Sequence, residues 1–92
     1  MAIQKDYNYK GIIVTNAYHR ISWGSCYKDD AGVFKIRYDV EIKTSATGEV
    51  IDILNGSRCH ECVYDIITPS NAIAQAYAHY MSLPENIGAV MV

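Results

Sequence analysis

Val33-Phe34-Lys35-Ile36-Arg37-Tyr38-Asp39-Val40-Glu41-Ile42-Lys43 decides the fold class of this chain. Phe34, Ile36, Tyr38, Val40 and Ile42 alternate without a miss against Lys35, Arg37, Asp39, Glu41 and Lys43. A period of two sends every apolar side chain to one face of a strand and every charge to the other. A strand with one dry and one wet face belongs in an antiparallel sheet, because parallel sheets are covered on both sides.

Turn chemistry brackets this strand. Lys28-Asp29-Asp30-Ala31-Gly32 ends in a glycine that tolerates positive φ and reverses the chain. Two adjacent aspartates without further oxygen ligands at fixed offsets make a turn, not a calcium loop. Upstream, Gly11 to Trp23 is rich in β-branched and aromatic residues and reads as a long strand, bent near Asn16-Ala17, that forms a hairpin with Val33–Lys43. Downstream, Ser45-Ala46-Thr47-Gly48 is a turn and Glu49 to Leu54 a short third strand. Asn55-Gly56-Ser57-Arg58 is a tight turn or a longer loop, and His60 to Ile67 alternates again as a fourth strand.

The period then changes. Thr68 is a good N-cap and Pro69 suits the first helical position. Ile73, Ala76, Tyr77, Tyr80 and Met81 follow at helical spacing, and Pro84 closes the element. The expectation is one α+β domain over 1–92: a small antiparallel sheet of about four strands built from hairpins (11–67), with one C-terminal helix (68–83) packed on it. Residues 1–10 form an N-terminal arm, and the apolar tail, 84–92, is pinned on the sheet or on a partner. The inward face should comprise Phe34, Ile36, Tyr38, Val40, Ile42, Tyr64 and Ile66, meeting Ile73, Tyr77 and Met81.

Composition limits the function classes. With 92 residues, half of them hydrophobic, and a formal net charge of −2, the chain has one thin core and no basic stripe for nucleic acid. No apolar run reaches the roughly 20 residues that span a bilayer, and Met1–Asp6 lacks the apolar centre of a signal peptide. The expectation is therefore a chain made and kept in cytosol unless it leaves within a larger particle. Eight tyrosines stand against one phenylalanine. Tyrosine suits half-buried surfaces, which makes Tyr7, Tyr9 and Tyr27, with Ile87, Val90 and Val92 of the tail, candidate interface residues.

Cys59-His60-Glu61-Cys62 is the one motif that invites chemistry, since C-x-x-C serves thiol redox sites and half of many zinc sites. A closed zinc centre would have to add Cys26 and His60, or His19 or His79, to Cys59 and Cys62, and no second paired knuckle exists. Within a continuous strand Cys59 and Cys62 would also face opposite ways. Structural cysteines, with no metal and no cofactor, are the expectation. His19, His60 and His79 are scattered and read as surface or edge residues. No phosphate loop, nucleophile elbow or paired carboxylates appear, so an enzyme is not expected.

Two segments carry a resemblance: Ile12-Ile13-Val14-Thr15-Asn16-Ala17-Tyr18-His19-Arg20-Ile21, and Asn71-Ala72-Ile73-Ala74-Gln75-Ala76-Tyr77-Ala78-His79-Tyr80-Met81-Ser82-Leu83-Pro84-Glu85 followed by Gly88-Ala89. They resemble small proteins encoded among the structural genes of tailed bacteriophages and prophages, which begin with a similar strand and finish with a similar helix and tail. The chain departs from that group at Tyr80-Met81-Ser82, where the group more often has Leu-Lys-Thr, and in its Cys59–Cys62 segment. The resemblance implies a virion protein of the tail, baseplate or fibre-attachment region, made in the bacterial cytoplasm. Its implied partners are copies of itself and other virion proteins, with no nucleic acid and no membrane. The rival class is a small cytosolic binding or regulatory module gripping a peptide or zinc through the sheet edge and Cys59/Cys62.

Overall fold

The computed structural model describes residues 1–92 and is α+β, a six-stranded antiparallel sheet with one helix packed on one face. In chain order the elements are β1 (Ile3–Tyr9), β2 (Ile12–Lys28), β3 (Phe34–Lys43), β4 (Val50–Leu54), β5 (His60–Val63), α1 (Ala72–Ser82) and β6 (Val90–Met91). The strand order is β4-β3-β2-β1-β6. β5 also pairs with β3: β4 lies against Val40–Lys43 and β5 against Lys35–Tyr38, which leaves Asp39 between them.

Two strands more than expected come from the chain ends. The segment read as an arm, 1–10, is β1, paired with β2 from Ile3↔His19 to Tyr9↔Ile12. Its polar residues hid it, because Asp6 and Asn8 alternate with tyrosines and not with aliphatics. Lys10 and Gly11, with φ of 52° and 85°, make the two-residue turn whose twist matches a hairpin. Asn8 Oδ1 accepts from Gly11 N at 2.9 Å. The tail is pinned on the sheet: β6 pairs with β1, and Ala2 and Val92 exchange backbone hydrogen bonds of 3.2 and 2.9 Å.

β2 carries two bulges. At the first, Asn16 has φ 51°, where the expected bend lies, and its N–H donates to Asp6 Oδ1 at 2.8 Å. The second falls between Ile21 and Trp23 and shifts the register by one residue. Such a shift exchanges the faces. Ala17, His19 and Ile21 therefore point inward, whereas beyond the bulge Gly24 and Cys26 share the inward rows of Tyr38 and Ile36, and Trp23 lies outside.

The core joins Ile36, Tyr38, Val40 and Ile42 to Ile3, Ala17 and Ile21 and to Ala76, Tyr77 and Tyr80 of α1. Tyr64 and Met81 pack at its margin. Three residues expected inside are not. Phe34, Ile66 and Ile73 are 39%, 58% and 48% exposed, because Phe34 begins its strand and the helix presents Ala76 rather than Ile73 to the sheet.

The fourth strand stops at Val63, and Asp65 Oδ1 then accepts from the Ile67 and Thr68 N–H groups. Those bonds spend Thr68 in a turn, and the helix cap falls three residues later than expected. Asn71 is its cap, accepting from Ala74 N at 2.8 Å. Gln75 fastens the connection by reaching Asp65 N, Asp65 O and Ser70 O.

Gly48 closes the β3–β4 turn, its N–H donating to Ser45 O at 3.1 Å. A Cβ there would stand 2.0 Å from Thr44 Oγ1 and 2.9 Å from Ser45 N. Gly48→Ala should therefore lower stability in urea melts by about 1–3 kcal/mol, as overpacking does. Thr47→Ala, at the exposed tip, should change it by under about 0.5 kcal/mol.

Candidate functional site

The three histidines, scattered in sequence, converge on one side of the sheet. His19 of β2 is 2% exposed: it sits at an inward position between Ala17 and Ile21. Its Nε2 lies 3.1 Å from the Lys5 carbonyl, which can only accept, so Nε2 carries the proton. The neutral ring then accepts at Nδ1 from the Tyr80 hydroxyl, at 2.9 Å. His79 of α1 meets the Tyr38 hydroxyl through Nδ1 at 2.7 Å. His60 stacks on Tyr38 with ring centroids 5.5 Å apart and meets Tyr80 edge-on at 5.2 Å. Its Nε2 is 4.0 Å from Glu85, and its Nδ1 is buried without a partner.

Burial sets the electrostatics here. Desolvation pushes His19 and His60 below the ordinary imidazole value, against the Lys5 carbonyl for one and Glu85 for the other. It also raises the Tyr38 and Tyr80 hydroxyls, which stay protonated. The neutral His19 ring with the Tyr80 hydroxyl, and the Tyr38 hydroxyl with His79, form a hydrogen-bonded lock between helix and sheet against which His60 packs. Tyr77 adds to it at the second bulge, where its hydroxyl accepts from Ile21 N at 3.0 Å and donates to the Met1 carbonyl at 2.8 Å.

Beside the lock opens a cleft of about 380 Å³ lined by Lys5, Tyr7, His60, Glu85 and Asn86, among others. Tyr7 crosses it from β1 to Asp52 of β4, and its hydroxyl donates to that carboxylate. The two strands stand three places apart in the sheet order, so this contact requires strong coiling of the sheet. Arg58 completes the group with a 2.8 Å bond to Asp52 and holds that carboxyl down at about 2, with help from Tyr7.

The residues expected at an interface are dispersed. Tyr7 faces inward, partly buried against the core, and its hydroxyl is engaged by Asp52. Tyr9 stands at the β1–β2 tip beneath the Lys10 ammonium, 5.2 Å from its ring centroid. Tyr27 lies on the outer face, bonded through its hydroxyl to Glu61. Ile87, Val90 and Val92 are exposed at the β6 edge.

The residues weighed for zinc are not brought together either. Cys59 accepts at Sγ from Arg37 Nε at 2.9 Å on the outer face, and Cys62 lies opposite Ile36 on the inner one. Cys26 flanks Ile36 from the other side, and His60 stands in the Tyr38 row. All three cysteines are free, and no three His, Cys, Asp or Glu side chains are grouped to hold a metal. No helix is long and apolar enough to cross a membrane.

The histidine lock was the feature that the sequence reading missed. Its one local sign is the parity of His19, two residues from Ala17 and two from Ile21 on a strand. Nothing local places His60 or His79 beside it. Comparisons of the chain with protein-family models, curated proteins and solved structures find no match.

Proposed function

We propose that this chain is a structural subunit of a tailed-phage particle, working in the tail, baseplate or fibre-attachment region through protein–protein contacts. One observation carries the reading. The two segments that resemble phage structural proteins pack directly on each other. Ile21 of the first bonds to Tyr77 of the second, and His19 bonds to Tyr80. The resemblance therefore falls on one packed unit of the domain, the strand–helix contact, and not on two unrelated stretches. The exposed apolar residues of the β6 edge and outer face suit a subunit that is covered in an assembly. Mass spectrometry of purified particles from the parent phage or prophage tests this: the chain should be present at a fixed stoichiometry. Its absence from particles, with normal particles formed after deletion of its gene, would overturn the reading.

A further inference from the structure

The outer face of the sheet, away from α1, has no covering element. Along β3 it presents Lys35, Arg37, Asp39, Glu41 and Lys43. From Lys35 to Glu41, two cations followed by two anions, the charges are antisymmetric about position 38. A twofold axis in the plane of this face, perpendicular to the strands at Tyr38, sets Lys35 against Glu41 and Arg37 against Asp39 of a second copy, twice over.

Lys35 and Glu41 already have partners in the chain, Asp29 at 3.1 Å and Arg20 at 3.0 Å respectively. The central two are freer. Arg37 is exposed and makes one side-chain hydrogen bond, to the Cys59 sulfur, with Glu61 opposite it on β5, and Asp39 has no ion pair and lies in the gap between β4 and β5. Apolar surface flanks them. Trp23 pairs with Asp39 across the second bulge and is 54% exposed, and Ile53 lies opposite Glu41 and Val63 opposite Lys35.

We infer that this face is an isologous docking surface for a second copy of the chain, giving a two-layer sandwich centred on Arg37, Asp39 and Trp23. Sheets stacked about 10 Å apart leave room for arginine and aspartate side chains to meet. A twofold contact needs only one self-complementary patch. Under the same axis, each Trp23 passes over Ser25 of the second copy, beside its own symmetry mate. The inference rests on the structural-subunit reading but names the partner, the face and the symmetry.

Sedimentation equilibrium of the purified chain tests it, with emission of Trp23, the only tryptophan, as a second readout. The expected result is a monomer–dimer equilibrium that weakens with salt, accompanied by a blue shift of Trp23 emission. Arg37→Asp and Asp39→Arg should each weaken dimerisation about tenfold or more, because each sets like charges together. The double variant Arg37→Asp/Asp39→Arg restores opposite charges and should return to within about threefold of the starting affinity. Thermal melts by circular dichroism establish that each variant is folded. A monomer at all concentrations, oligomers beyond two, or single variants whose loss the double variant does not repair would overturn the inference. Presence in particles is measured separately, so the failure of this dimer is distinguishable from failure of the structural-subunit reading.

Discussion

Tyr38→Ala is expected to remove about 3–5 kcal/mol of stability, the usual cost of deleting a large buried aromatic. For a domain whose total is on the order of 5–15 kcal/mol, that is a large fraction of the whole. The reason is position. Tyr38 is fully buried at the centre of β3, stacks on His60, meets Tyr80 edge-on and bonds to His79. Tyr38→Phe keeps the ring and loses only the hydroxyl, so it should cost about 0.5–1.5 kcal/mol. Urea denaturation of both variants checks the pair. Equal losses would mean that the hydrogen bond, not the packing, dominates.

Acid is expected to loosen the domain well above the carboxylate range. His19 faces Tyr7 and Lys5 of β1 and Tyr80 of α1, while His60 faces Tyr38, Tyr80, His79 and Glu85. Both are depressed below the ordinary value of 6.5, mainly by burial. Above that value the rings are neutral whether the chain is folded or not, so stability is level. Below it the unfolded chain takes up protons that the folded one refuses. Stability then falls, by up to about 1.4 kcal/mol per pH unit for each histidine. Asp52 acts in a different window: its contribution is complete above the ordinary 3.8 and disappears as the pH drops toward about 2. Urea midpoints between pH 8 and 5 decide the matter. A level profile for the native sequence would show that the two rings accept a proton in place, whereas a slope halved in His19→Gln would assign half of it to that ring.

Strong local patterns were legible in the sequence. The Val33–Lys43 alternation became β3 with its inner face buried from Ile36 to Ile42 but not at Phe34, and the shift of period after Ile67 marked a real helix. The tail's apolar character correctly pointed to docking on the sheet. What escaped depends on contacts far apart in sequence. β1 is polar and holds its place by pairing, not by pattern. The bulges at Asn16 and after Ile21 exchange faces mid-strand, so a simple count of parity along β2 puts Trp23 inside when it is outside. The helix turns Ala76 toward the sheet and leaves Ile73 half exposed, because the three tyrosine and histidine bonds fix its rotation. That same set of bonds gathers residues 19, 38, 77, 79 and 80, which no local window contains.

The pairing of β6 with β1 sets an order of events during synthesis. β1 can form its hairpin with β2 as soon as residue 19 has emerged, but the strand that covers its other edge comprises Val90 and Met91. At roughly 5–20 residues per second the edge stays open for on the order of ten seconds. An open edge is a template for any extended segment nearby, including the β6 of another nascent chain. On a polysome translating many copies, the emergence of Val90 and Met91 thus determines whether each sheet is closed by its own chain or by its neighbour's.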